Sequence, residues 1–207
     1  MSSKQYFDDV AGKWDSMREQ FFPDAVREVA IAGANVAPGD LAADVGAGSG
    51  FITEALIGAG ARVIAVDQSA EMLAVLRRKF ACAAVETRQG TAEALPLASA
   101  EVKQAFANMY LHHVEDPASA IREMARVIQP GGRLVITDLD EHTFDFLKEE
   151  HHDRWMGFQR EAVQGWLEAA GLREVSVKGI GSDCYANSEC GAQRAEVSIL
   201  IASGTKP

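Results

Sequence analysis

Residues 43–50 read ADVGAGSG and come directly after a short apolar run, LAADV at 41–45. Glycine at every second position lets the chain turn sharply and lets a ligand approach the backbone closely. The next apolar run, 62–66, leads into VDQS at 66–69, so that Asp67 follows a second predicted strand. A carboxylate there can accept two hydrogen bonds from the hydroxyls of a ribose. Because ligands of open parallel sheets lie at the carboxyl ends of strands, the two segments predict one binding crevice.

Short apolar runs alternate with helical patterns along the chain, and this alternation is typical of a parallel sheet with helices on both faces. The last two runs are joined by a loop without a helix, so they must be antiparallel. The sequence therefore predicts an α/β fold: a doubly wound, mostly parallel seven-stranded sheet with one antiparallel strand near the C-terminus. The predicted strands are 41–45, 62–66, 84–88, 102–107, 132–138, 173–180 and 194–203. The predicted helices are 69–80, 117–128 and 160–170.

The N-terminal segment precedes the sheet and is amphipathic, with aromatic side chains at helical spacing. It predicts a helical cap. No repeat, low-complexity tract or linker divides the chain. We therefore expect a single domain over 1–207, made of the cap at 1–36 and the sheet with its loops at 37–207.

The charge of the chain bears on its partners. The 20 basic and 30 acidic residues give a net charge of −10. Nucleic acid and anionic membrane surfaces both require a basic face, so neither is expected as a partner. No apolar run approaches the roughly 20 residues of a membrane span, and the N-terminus lacks the apolar stretch of a signal peptide. Three cysteines are too few for a disulfide scaffold, which predicts a reducing, cytoplasmic environment.

The glycine spacing, G-x-G-x-G, differs from that of a dinucleotide-binding turn. A nicotinamide-dependent oxidoreductase favours G-x-G-x-x-G, where the helix N-terminus receives a pyrophosphate. Here Asp44 lies two residues before the first glycine, and its carboxylate would repel a pyrophosphate but suit a cationic ammonium group. The oxidoreductase is therefore a disfavoured alternative.

Five segments of the chain carry a resemblance to a known family. They are ADVGAGSG at 43–50, VDQS at 66–69, QGTAEALPLASAEV at 89–102, NMYLHHVEDP at 108–117 and IQPGGRLVITD at 128–138. In this order they are similar to the motifs of class I S-adenosylmethionine-dependent methyltransferases. Within that family the chain resembles the small-molecule branch that includes the ubiquinone and menaquinone C-methyltransferases. The resemblance covers nearly the whole chain and implies a Rossmann-like sheet.

The resemblance implies S-adenosylmethionine as the cofactor and a small-molecule acceptor that takes its methyl group by in-line displacement. The methionine end would lie on the backbone of residues 46–48 with Asp44 near its ammonium group, and Asp67 would bind the ribose hydroxyls. Thr91 stands where the family often has aspartate, so a side-chain bond to the adenine is not implied there. The implied cofactor-binding residues are Asp44, Gly46, Ala47, Gly48, Gly50, Asp67, Gln68, Met72, Thr91, Ala92, Glu93 and Asn108.

The acceptor is expected at the loops after the fourth and fifth strands and at 151–158, because the donor would occupy the ends of the first two strands. Histidine and tyrosine side chains can accept or donate a proton there, and tryptophan offers an apolar wall. Residues 151–155 are predicted to lie on a helix. The catalytic candidates are Tyr110, His113 and His142. The substrate and lid candidates are Tyr6, Trp14 and Trp155, because the first helix covers the donor in similar methyltransferases.

No metal site is predicted. Cys184 and Cys190 lie six residues apart between the last two strands, a spacing that matches no common zinc motif. Two thiols near several histidines would still suit a soft metal or a metalloid. A further alternative is a non-catalytic module that binds the cofactor and transfers nothing. Such a module would have a blocked or featureless acceptor pocket, whereas the histidines, tyrosine and tryptophan here favour an enzyme.

Overall fold

The computed structural model describes residues 3–188 and 190–207 and contains one seven-stranded sheet. The strands are β1 Leu41–Val45, β2 Arg62–Asp67, β3 Val85–Gln89, β4 Val102–Asn108, β5 Ile128–Leu139, β6 Arg173–Asn187 and β7 Arg194–Thr205. Their order is β3-β2-β1-β4-β5-β7-β6. The first five strands pair in parallel, and β7 is antiparallel to both of its neighbours. The predicted sheet, with its one antiparallel strand, is confirmed.

Helices cover both faces of this sheet. They are α1 Ser3–Val10, α2 Trp14–Phe21, α3 Ala25–Ala32, α4 Phe51–Gly58, α5 Ala70–Lys79, α6 Pro117–Val127, α7 Asp145–Glu150 and α8 Arg160–Ala169. On one face, Ile121 of α6 and Leu167 of α8 are fully buried in the larger core. On the other face, Val26 of α3 and Leu56 of α4 are fully buried in a second core. Burial of both faces explains why the central strands are apolar throughout.

β5 and β6 are several residues longer than predicted. β5 begins at Ile128, because the Pro-Gly-Gly sequence at 130–132 forms an irregularity within the strand, where the pairing with β4 shifts register. β6 continues to Asn187, because its last five residues pair with the start of β7. This extension forms a two-stranded arm that packs against α7 through Ala186.

The helix predicted over 151–155 is wrong. The helix α7 ends at Glu150, and His152 takes a left-handed backbone with φ of 60°. The backbone N–H groups of Arg154 and Trp155 both donate to the carbonyl oxygen of His112, at 2.9 and 3.1 Å. Tertiary hydrogen bonds to the loop after β4 therefore replace helical ones.

None of the helices formed by residues 3–188 and 190–207 combines the length and the apolar character that crossing a membrane requires.

Candidate functional site

The glycine turn after β1 needs its glycines for conformational reasons. Gly46, Gly48 and Gly50 have φ values of 69°, 52° and 97°, in the left-handed region that side chains disfavour. The backbone N–H groups of Gly46 and Ala47 donate to the carbonyl oxygen of Val66, at 2.8 and 3.0 Å. The turn is therefore fastened to the end of β2, as the sequence predicted for a shared crevice.

Asp67 joins the two predicted segments. One of its carboxylate oxygens accepts from the N–H of Gly48 and the other from the N–H of Ser69, both at 2.8 Å. Burial raises the pKa of this carboxyl group above its usual value. A buried acid held by backbone donors at the end of β2 is suitably placed to accept hydrogen bonds from a diol.

Asp44 points away from the crevice. It is wholly buried, and its Oδ2 accepts from the N–H and the Oγ1 hydroxyl of Thr53 in the first turn of α4, at 2.9 and 2.6 Å. Burial raises its pKa to about 6. The structure therefore gives Asp44 a structural role at the N-terminus of α4, and its predicted effect on a ligand ammonium group stays a prediction.

A narrow crevice lies above the glycine turn and is closed over by the N-terminal helices. The Tyr110 ring packs directly on the glycine turn and helps to close the crevice. A Cβ atom added to Gly46 would lie only 2.3 Å from Cγ of Tyr110. Burial, and then the charges of Asp67 and Glu93, raise the pKa of the Tyr110 hydroxyl. Asn108 lies in the wall, and its Oδ1 accepts from the Thr137 hydroxyl at 2.7 Å. The cofactor candidates that line the crevice are Gly46, Ala47, Gly48, Asp67, Gln68, Met72 and Asn108.

A more open cavity of about 520 Å³ continues from the crevice between the ends of β2 and β4. It adds two more predicted cofactor side chains, Thr91 and Glu93, which line it together with Gln68 and Tyr110. Ala92 is buried behind them. Gly50 does not reach either cavity, because it packs against Phe80 at the start of α4.

An apolar pocket of about 60 Å³ lies on the other side of the crevice. It lies at loops where the sequence predicts the acceptor, and we name it the acceptor pocket after that prediction. Aromatic side chains of the cap form one wall, and the ends of β4, β5 and the β6 arm form the other. The lining residues are Tyr6, Phe7, Trp14, Phe21, Phe22, Met109, His112, His113, Leu139, Leu147, His151, Asp153, Cys184 and Ala186. His113 borders the acceptor pocket, the crevice and the open cavity alike. It therefore stands at the junction of all three.

The loop after β4 is organised by Asp138, a fully buried residue at the end of β5. Its carboxylate accepts from the backbone N–H groups of Tyr110, Leu111 and Leu139, at 3.2, 2.8 and 2.8 Å. It also lies 2.7 Å from Nδ1 of His112. These four contacts fix the direction of the His112 ring.

The pKa values of the two neighbouring histidines, His112 and His113, are shifted in opposite directions. Burial alone would lower the pKa of His112, but the charges of Asp138 and Asp153 outweigh it and raise that pKa to about 9. Burial and the adjacent charge of His112 hold the pKa of His113 well below its usual range. His112 is thus a buried cation at neutral pH, and His113 is neutral.

Some of the predicted acceptor-side residues do not reach the acceptor pocket. Trp155 is 41% exposed, its Nε1 donates to the carbonyl oxygen of Val114 at 3.0 Å, and it does not line this pocket. Its predicted role toward the acceptor stays a prediction. His142 is buried beside Phe144, whose N–H donates to its Nδ1 at 3.3 Å, and it does not line the pocket. Cys184 lines the pocket, whereas Cys190 is exposed and does not line it.

Sequence reasoning missed two acids of the site. Asp138 follows a buried strand just as Asp67 does, and that shared signal was available. Asp153 carried no signal of its own, because residues 151–155 were predicted to lie on a helix and only tertiary hydrogen bonds give this segment its observed path.

The cap is hydrogen-bonded to both segments of the crevice. Asp8 of α1 accepts from the Ser69 hydroxyl at 2.6 Å. Asp15 of α2 accepts from the Ser49 hydroxyl and forms an ion pair with Lys79 at 3.3 Å. These contacts place the predicted lid residues Tyr6 and Trp14 over the site.

We expect the free energy of unfolding to fall as the pH rises from about 6.5 to about 9. The folded protein binds the His112 proton more tightly than the unfolded chain does, because the folded pKa is raised to about 9. The resulting stabilisation is complete below the unfolded pKa and is lost as the pH passes the folded one. Asp44 and Asp153, with pKa values raised to about 6, titrate below this window.

Urea unfolding at about pH 6.5, 8 and 9.5 measures this effect, and His112→Asn should flatten the decline. A wild-type stability that does not change across this range would contradict a protonated His112.

The fold and the crevice define a Rossmann-like α/β protein with a site at the carboxyl ends of β1, β2 and β4. Residues 43–136 match the family model described as a methyltransferase domain. A ubiquinone biosynthesis O-methyltransferase of Hahella chejuensis is 32% identical over 201 residues, which cover 87% of this chain and 84% of that protein. The chain therefore belongs to the S-adenosylmethionine-dependent methyltransferase family.

Other relatives match over a smaller part of their length. A demethylmenaquinone methyltransferase of Renibacterium salmoninarum is 33% identical over 141 residues, covering 67% of this chain and 59% of that protein. In two further curated relatives, the chain spans 36% and 49% of the relative's own length. A solved complex of the Haloferax volcanii Trm112 methyltransferase activator with a methyltransferase contains a chain of the same fold. Its TM-score is 0.78 at 21% identity, over 97% of both chains.

Proposed function

We propose that this chain transfers a methyl group from S-adenosylmethionine to a small-molecule acceptor by in-line displacement. The proposal treats residues 1–207 as one methyltransferase domain with the cap at 1–36 as its lid. One observation carries it: His113 borders the crevice over the glycine turn and the apolar acceptor pocket alike. A donor in the crevice and an acceptor in the pocket would meet at this point.

The donor would use the crevice as the sequence predicts. Asp67 accepts from backbone donors in the structure, and a ribose diol would offer it further hydrogen bonds. Gln68, Thr91 and Glu93 border the open cavity that would receive the adenine. Asn108 lies in the crevice wall near the methionine end.

The acceptor pocket would promote methyl transfer mainly by positioning the acceptor and excluding water, and less by acid–base catalysis. A sulfonium donor is already activated, so alignment and exclusion of water supply most of what transfer needs. The aromatic wall from the cap provides both. If the acceptor carries a proton, neutral His113 can receive it, because its pKa lies well below the usual range. Tyr110 keeps its proton and would act as a donor or as a wall.

We expect calorimetry to show binding of S-adenosylmethionine and of its demethylated product, and none of NAD. The physical reason is the spacing of the glycines, which is G-x-G-x-G here. The turn that binds the pyrophosphate of NAD has the spacing G-x-G-x-x-G. The transfer itself is measured with a methyl-labelled donor over quinols, phenols, thiols, amines and arsenite.

Tight binding of NAD without any response to the adenosyl ligands would contradict the proposed donor. Binding of the donor without transfer to any acceptor class would instead favour the non-catalytic module.

The cap has to open for ligands to enter. The acceptor pocket holds only about 60 Å³ and the crevice a similar volume, whereas sites for small organic ligands span about 300–1,000 Å³. The hydrogen bonds that Ser69 and Ser49 donate to Asp8 and Asp15 join the cap to the crevice and are not part of the strand pairing, so they can break without unfolding the sheet.

We expect hydrogen exchange in residues 3–22 to slow when the demethylated donor product is added, because a bound ligand would hold the cap in its closed position. Exchange in β4, which lies in the centre of the sheet, serves as the internal control. Equal exchange of residues 3–22 with and without saturating ligand would rule out a lid.

A further inference from the structure

Three side chains of the acceptor pocket are arranged as metal ligands. They are His112, His113 and Asp153, and one donor atom from each lies within 4.8 Å of the others. Oδ1 of Asp153 is 3.7 Å from Nε2 of His112 and 3.7 Å from Nδ1 of His113. These distances are too long for hydrogen bonds. The ligand atoms of a tetrahedral zinc ion lie about 3.3 Å from one another. Small side-chain rotations would therefore bring the three donor atoms close enough together to coordinate one ion.

The burial of His113 points to a missing partner. Its side chain is only 8% exposed, and within the described residues its Nδ1 has no hydrogen-bond partner. A buried ring nitrogen without a partner is costly, so it needs an explanation. The same nitrogen lies 3.7 Å from Oδ1 of Asp153, and both residues line the pocket.

His112 is held as metal-ligating histidines are held. Its Nδ1 lies 2.7 Å from the Asp138 carboxylate, which leaves Nε2 directed toward Asp153. A carboxylate behind the ring fixes its orientation and raises the basicity of the nitrogen that faces the metal. Asp138 is itself held by three backbone N–H groups, so the direction of the ring is rigid.

The charges of the site also balance. Asp138 and Asp153 contribute two negative charges at two buried positions, and a divalent cation would neutralise both.

We propose that His112, His113 and Asp153 bind one divalent transition-metal ion, with its remaining coordination positions facing the acceptor pocket. Two imidazoles and one carboxylate favour zinc or ferrous iron over magnesium or calcium, which take oxygen ligands. The open positions would receive an oxygen, nitrogen or sulfur atom of the acceptor; this last role rests on the proposed methyl transfer, and the metal site itself does not.

Zn²⁺ titration of the chelator-treated full chain should give one site per chain by calorimetry. Co²⁺ should give a visible spectrum without the thiolate charge-transfer band that Cys184 would add. His113→Gln should weaken Zn²⁺ binding at least about tenfold, and Asp138→Asn about 10–100-fold, because it acts through the orientation of His112. His142→Gln, which changes a buried histidine outside the pocket, is the matched control and should stay within about twofold of the wild type.

Histidine ring NMR of the wild-type chain keeps the test independent of variant folding, since the His112 and His113 signals should shift with one equivalent of Zn²⁺. Absence of stoichiometric binding, or binding that survives His113→Gln and Asp153→Asn unchanged, overturns the proposal. Donor binding measured on the wild-type chain and on Asp153→Asn separates this failure from a failure of the proposed function, because Asp153 does not line the donor crevice, whereas His113 does.

Discussion

Replacement of Asp138 by alanine is expected to lower the free energy of unfolding by about 3–5 kcal/mol. The substitution leaves three buried backbone N–H groups without their acceptor. It also leaves the His112 imidazolium without its nearest countercharge, which lies 2.7 Å away in the wild type. Unpaired buried donors and charges are among the few causes of so large a loss.

Chemical denaturation at neutral pH measures the change, with Asp145→Ala as the control variant on the following helix. Asp145 is an exposed carboxylate in the first turn of α7, so its loss should cost at most about 1 kcal/mol. Similar losses in the two variants would show that Asp138 does not organise the loop after β4.

Replacement of Asp67 by alanine should weaken binding of S-adenosylmethionine by about 1–3 kcal/mol, since it removes charge-assisted hydrogen bonds to the ribose diol. Part of the loss would come from the glycine turn, because the Asp67 carboxylate also accepts from the N–H of Gly48. Calorimetry with the demethylated product avoids turnover and measures the affinity directly.

Glu71→Ala is the control for this experiment, because Glu71 is an exposed carboxylate on the first turn of α5. Its affinity should stay within about twofold of the wild type. An Asp67→Ala variant that folds and keeps wild-type affinity would remove Asp67 from the donor site.

Local sequence patterns were sufficient to predict the strands of the sheet and their directions. Strands that are apolar throughout are buried on both faces, between two layers of helices. This pattern predicted the parallel strands. The absence of a helix between the last two runs required the antiparallel strand. The length of β6 was not predictable, because pairing of its last residues depends on the partner strand and not on their own composition.

The geometry of the crevice over the glycine turn was also predictable in large part. Glycines that need left-handed backbone and an acid at a strand end are local signals, and the sheet topology brings them together. Asp44 shows the limit of such signals. Its position beside the turn was clear, but its direction was decided by Thr53 in the first turn of α4.

The acceptor pocket was decided by tertiary structure. Asp153 enters the pocket because the segment after α7 bonds to the carbonyl oxygen of His112, a contact between residues about 40 positions apart. Trp155, two residues further on, belongs to the same hydrogen-bonded segment, but its side chain is exposed and lies outside the pocket. By itself, then, the sequence determined the order of strands and helices, the glycine turn and Asp67, because these depend on near neighbours and periodicity. Only the tertiary structure decided which histidines and acids share the pocket, because burial and hydrogen bonding between distant segments set the direction of each side chain.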